Sequence, residues 1–169
     1  MSARNPLTID PELDLVLERF ADIPPELVWE AWTRPEHLQH WFCPRPWSLV
    51  GCEIDLRPGG VFRTAMCTPE GDRLPPSDGC YLDVVEHSRL VWTSALGAGF
   101  RPLPLSEDAL AFTAHVLLEP EGQGTRYTAI AVHPDQASRE RHEALGFHEG
   151  WAVALDQLVA HMQAQVAGH

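Results

Sequence analysis

Lysine is missing from all 169 residues: the twelve basic side chains are arginines, set against 24 acids for a formal charge of -12. Without a lysine amine there is no Schiff base, so aldolase-type and pyridoxal-phosphate-type chemistry is excluded. A phosphate-cradling P-loop lacks its lysine as well. The negative excess argues against nucleic acid or an anionic membrane as partner and leaves a neutral or cationic one open. Cysteine is scarce. Cys43, Cys52, Cys67 and Cys80 include no CxxC pair, so zinc-site spacing is missing, and the expectation is buried free thiols, with a disulfide as the alternative. No stretch approaches the ~20 apolar residues of a membrane span, and the start, residues 1–11, has no apolar run of the signal-peptide kind. A cytoplasmic protein is expected, with residues 1–11 as a flexible tail. The pattern GxSxG does not occur, and the pair His142 and Glu143 lacks the second histidine four residues on. Hydrolase-elbow and zincin chemistry therefore lack their parts.

What is present reads as one globular domain spanning 1–169, 44% hydrophobic and 21% charged, long enough to bury roughly 70% of its unfolded surface. Leu13, Leu15 and Leu17 alternate with Asp14 and Glu18 as a half-buried strand. Pro24 and Pro25 open a helix with Leu27, Val28, Ala31 and Trp32 on one stripe. Thr33 and Glu36 have the spacing of a capping box for a second short helix carrying Leu38, Trp41 and Phe42 inward. Strands follow over 48–56, 61–67, 79–86, 90–96, 112–119 and 125–133, separated by Pro- and Gly-rich turns such as Arg57 to Gly60. After Pro134 a helical stretch pauses at Gly146 and Phe147. It resumes with Trp151, Leu155, Leu158, Met162 and Val166 on one face. An antiparallel sheet with one wet face needs a cover for the dry one, and this last helix is the only element long enough. The expected class is α+β.

The segments Val28-Trp29-Glu30-Ala31-Trp32-Thr33, Trp41-Phe42, Glu53 to Gly60, Gly79-Cys80-Tyr81-Leu82, Arg89 to Thr93, Gly124-Thr125 and Gly146 to Trp151 together resemble proteins related to the activator of heat-shock protein 90 ATPase, within the SRPBCC superfamily. The resemblance covers nearly the whole chain. It implies the START-like, Bet v 1-like helix-grip fold: a curved antiparallel sheet of six or seven strands around a long C-terminal helix, with two short helices after strand one. It implies little about activity, since that superfamily holds lipid carriers, hormone binders, polyketide cyclases and co-chaperones.

Placing charges outside assigns Cys80, Leu82 and Val84, Trp92, Phe112, Tyr127, Ala129, Ala131 and His133 among the inward side chains, with Leu49 and Val91 on the outer face as a basis for a possible homodimer. Ala129 and Ala131 are small opposite a large helix, and so leave room unless a helix side chain such as Trp151 fills it. The segment from Gly97 to Ala109 is long for a connection, as a lid or a mobile loop would be. His37 and His40 share a side of a short helix but lack a third metal ligand. His133 ends the last strand, where it either meets a ligand or bonds to Asp135 or backbone. The leading expectation is a cavity for a small apolar or aromatic molecule near Trp32, Trp41, Trp92, Tyr127, Ala131, His133 and Trp151, with no metal and no cofactor. The alternatives are a cyclase-like or dehydratase-like enzyme with His133 as general base and Tyr127 as proton donor, and a co-chaperone-like stress protein.

Overall fold

The computed structural model describes residues 8–104, 106 and 110–168. Residues 1–7 of the expected tail, and four residues of the Gly97–Ala109 segment, lie outside them. Asp10 is already ordered: its N–H donates to the Asp14 carboxylate at 2.8 Å, and its carbonyl accepts from Leu13 and Asp14.

In chain order the elements are β1 (Asp14–Ala21), α1 (Pro25–Thr33), α2 (Pro35–Trp41), β2 (Ser48–Ile54), β3 (Phe62–Cys67), β4 (Cys80–Val85), β5 (Arg89–Thr93), the short hairpin β6 (Leu96–Gly97) and β7 (Arg101–Pro102), β8 (Thr113–Glu121), β9 (Gly124–Val132), α3 (Gln136–Ala144) and α4 (Phe147–Ala167). An antiparallel sheet runs β1-β9-β8-β5-β4, and β2-β3 form a second antiparallel pair. Isolated bridges join that pair to β4 at Val61 and Cys80, and to the segment leading into β4 at Thr64 and Ser77 and at Cys67 and Arg73, which makes a surface of seven strands. At the junction Phe62 N–H donates to the Gly79 carbonyl at 2.9 Å. A Cβ on Gly79 would stand 2.8 Å from the Phe62 carbonyl oxygen, so only glycine lets the two backbones approach here.

The dry face is covered by α1, α2 and α4. Proline at N1 starts both α1 and α2, where its missing N–H costs nothing. The expected capping box at Thr33 does not form. Thr33 is the last residue of α1, and its hydroxyl donates to the Trp29 carbonyl at 2.7 Å. The N-cap of α2 is Arg34, held extended by the following proline and lacking a side-chain cap. Trp29, absent from the expected stripe, is also buried and meets His87 edge-on. On α4, Leu155, Leu158 and Met162 are buried as expected, whereas Val166, in the last turn, is exposed.

Two bulges overturn the face assignment. Between Tyr81 and Asp83 the pairing with β5 slips by one residue, so Tyr81 lies opposite Trp92 and Val84 opposite Leu90. Tyr81 and not Leu82 joins the core, and Cys80 pairs with Thr93 on the other face. The slip between Leu49 and Gly51 turns Leu49 into the core. Leu49 and Val91 are both buried, so neither is free for a contact between copies. Leu56, beyond the end of β2, is exposed.

Between α3 and α4 the chain turns at Gly146, whose φ of 94° lies in the left-handed region that glycine tolerates. Asp135 caps α3 by accepting from Ser138 N–H at 2.7 Å, a bond that holds its carboxyl below the usual range. No helix among the described residues is long and apolar enough to cross a membrane.

Candidate ligand cavity

Between the sheet and the first turns of α4 lies a cavity of about 400 Å³. Its walls come from three directions. The end of α1 and α2 bring Trp32, Trp41 and Phe42; β5, the residue before β8, and β9 bring Trp92, Phe112 and Tyr127; and α4 brings Phe147, Gly150, Trp151 and Ala154. These last four recur at the i, i+3, i+4, i+7 spacing of one helical stripe. Two of them are small, and a Cβ built on Gly150 meets nothing within 4 Å. The space is therefore left by the helix and not by the sheet. Leu145, which is 71% exposed, also lines it, so the opening lies at the α3–α4 turn.

Aromatic rings hold each other in place around this space. Trp32 packs on Trp41 (centroids 4.9 Å), Trp151 (6.1 Å) and Trp92 (6.5 Å), and Trp92 continues to Phe112 at 5.5 Å. Phe112 reaches His142 of α3 at 4.6 Å, and His142 meets Phe147 at 5.2 Å, closing the far side. Such offset and edge-on contacts fix rings that carry most of the buried apolar area. Gln157 ties α4 to the end of α2 and the segment after it: its Nε2 donates to the carbonyls of Trp41 (3.0 Å) and Cys43 (2.9 Å), while Oε1 accepts from Arg45 N–H at 3.0 Å.

Of the seven residues expected at a ligand, Trp32, Trp41, Trp92, Tyr127 and Trp151 line the cavity; Ala131 and His133 do not. Ala129 and Ala131 are fully buried within the packed core, so the room beside them is filled. His133 stands one layer back. Its Nδ1–H donates to the Leu13 carbonyl at 2.8 Å, and its Nε2 lies 2.9 Å from His142 Nδ1. Both ring nitrogens are thus engaged. His142 is the imidazole that reaches the cavity, and sequence reasoning passed over it because its neighbours on α3 are polar. The signal lay in the pause at Gly146, which folds α3 back over the end of the sheet.

The bond to Leu13 fixes the tautomers in turn. With Nδ1 of His133 protonated, its Nε2 accepts from His142 Nδ1–H, which leaves His142 Nε2 as an acceptor. Burial, and then the neighbouring His133, lower the His142 pKa from 6.5 to about 4, so the ring is neutral at physiological pH. Burial raises the Tyr127 phenol well above its ordinary value, only partly offset by the bond from Trp32 Nε1–H to its oxygen at 3.2 Å.

The other candidates fall elsewhere. His37 Nδ1 and His161 Nε2 lie 3.1 Å apart, and His40 stacks on His161. Among the described residues no group of three or more His, Cys, Asp or Glu is placed to hold a metal ion. The described part of the Gly97–Ala109 segment folds as the β6–β7 hairpin, with Gly99 N–H on the Gly59 carbonyl at 2.8 Å. None of that described part lines the cavity. All four cysteines are free thiols.

A long C-terminal helix laid across an antiparallel sheet, with an aromatic cavity between them, defines the helix-grip class. The chain belongs to the family described as activator of Hsp90 ATPase homolog 1-like protein, which it matches over residues 22–163. A crystal structure of a Nitrosomonas europaea protein is similar, with 46% identity, a TM-score of 0.88, and coverage of 94% of this chain and 99% of that one. A Rhodobacter sphaeroides protein (20% identity, TM-score 0.77, 93% and 97% covered) and an AHSA1-like protein from Aeromonas hydrophila (19%, 0.66, 90% and 94%) share the fold. No curated protein matches the chain.

Proposed function

We propose that this protein binds a small apolar or aromatic molecule in the cavity between the sheet and α4. The observation that carries the reading is the cavity itself: about 400 Å³ walled by interlocked rings, with Gly150 and Ala154 where a filled core would place larger side chains. Native interiors tolerate few voids of this size, and a concave, mainly apolar site with a few polar groups is the form small-molecule sites take.

The cyclase-like alternative loses its proposed base, because His133 spends both nitrogens inside the protein. Its place would fall to His142. An imidazole with pKa near 4 is a hydrogen-bond acceptor at neutral pH and a weak base, whereas general-base catalysis favours a pKa near the working pH. This supports a container over a catalyst. Mass spectrometry of natively purified protein tests the reading. A bound apolar molecule of matching size is expected, released on unfolding, and its absence together with failure of every apolar probe to bind would contradict it.

A further inference from the structure

The cavity is apolar, and two residues of its wall carry hydrogen-bond donors that the described residues leave unspent. Trp92 is only 6% exposed and stands in the wall, and its indole N–H is buried without an acceptor among the described residues. The Tyr127 oxygen takes the hydrogen of Trp32 Nε1, and no acceptor among the described residues takes the phenol's own hydrogen. Two donors are thus unspent in one wall, on residues that both touch Trp32. A buried donor without a partner carries a desolvation cost that an incoming acceptor removes. Among the described residues no Asp, Glu, Lys or Arg lines the cavity, and the one imidazole among them that does, His142, is 9% exposed and neutral at physiological pH. An anionic ligand would find no countercharge among these residues, and burying an unpaired charge is far more costly than burying a neutral oxygen.

Resting on the binding reading above, we infer that the cavity is selective for uncharged cyclic molecules bearing a carbonyl-type acceptor oxygen, received by Trp92 Nε1–H and Tyr127 O–H, over hydrocarbons and carboxylates of the same shape. The selectivity follows from the asymmetry of unmade hydrogen bonds: a site with unspent donors rejects an isostere lacking the acceptor more strongly than an apolar pocket rejects a small change of volume.

The test is calorimetric titration at neutral pH with three probes on one ring skeleton: tetralin, 1-tetralone and tetralin-1-carboxylate. For the wild type we expect the ketone to bind about tenfold tighter than the hydrocarbon, the worth of one buried hydrogen bond, and the carboxylate to bind more weakly than either. In Trp92→Phe and in Tyr127→Phe, each checked for native circular dichroism, the ratio of ketone to hydrocarbon affinity falls toward one. Equal binding of ketone and hydrocarbon by the wild type overturns the selectivity and leaves an apolar container standing. A ketone preference unchanged in both folded variants overturns the assignment of the donors. Failure of all three probes to bind removes the binding reading and this inference together.

Discussion

His133 and His142 face each other at 2.9 Å through Nε2 and Nδ1, and the Leu13 carbonyl on the other side of His133 sets the direction of both hydrogens. The strand end thereby fixes which nitrogen His142 has available, through a residue that does not itself line the cavity.

That arrangement depends on both rings sharing one hydrogen, and it makes stability pH-dependent. In the unfolded chain His142 takes up a proton near 6.5, in the folded protein only near 4. Between those values the unfolded state holds more protons, so the contribution is complete above about 6.5 and is lost as pH falls toward 4. Urea unfolding of wild type and His142→Phe should show the variant less stable at pH 7.5, since His133 Nε2 loses its donor, with the gap closing by pH 4.5. A gap that stays constant across this range contradicts a neutral His142 in the folded protein.

Two glycines of the α3–α4 region should respond oppositely to alanine. Gly146 has φ of 94°, so Gly146→Ala is expected to destabilise by about 1 kcal/mol or more. Gly150 is helical and meets open space; there alanine should stabilise by roughly 0.5–1 kcal/mol. Thermal unfolding of the two variants checks both signs.

Gln157→Ala removes three hydrogen bonds between α4 and Trp41, Cys43 and Arg45. A loss of about 1–3 kcal/mol is expected, together with faster amide exchange at Arg45, whose N–H is released. Exchange at Arg45 unchanged from wild type would mean that the clamp does not hold this wall.

Cys43 is buried, and burial lifts its thiol pKa to about 11. Because the thiolate is the reactive form, Cys43 should resist a disulfide reagent at pH 8 in the folded protein and react on unfolding. Mass mapping of labelled cysteines reads this directly, and labelling of native Cys43 at the rate of a free thiol would contradict it.

Most of the architecture was legible because strand alternation, Pro and Gly punctuation and the α4 stripe all agree with one another. Side-chain direction failed where one extra residue enters a strand, at Tyr81 and at Leu49, because a bulge inverts the alternation and nothing in the local composition marks it. At the site, the tryptophans and Tyr127 were visible as large residues on inward positions. The location of the empty space was not. Ala129 and Ala131 suggested room in the sheet, but close packing fills it from across the core, whereas the stripe Phe147, Gly150, Trp151, Ala154 on α4 carried the signal in its small members. His142 was hidden by Arg141 and Glu143, which make α3 read as a solvated helix.

The cavity beside Gly150 is reached most directly by one titration: N-phenyl-1-naphthylamine, an uncharged probe whose emission rises in apolar surroundings, against wild type and Gly150→Leu. A Cβ at Gly150 meets nothing within 4 Å and leucine suits a helix, so the variant is expected to fold, which thermal unfolding checks. Wild type is expected to bind one equivalent with enhanced emission, and the folded variant to lose at least tenfold in affinity. Binding by folded Gly150→Leu as tight as by wild type would place the probe elsewhere and contradict a ligand site between the sheet and α4.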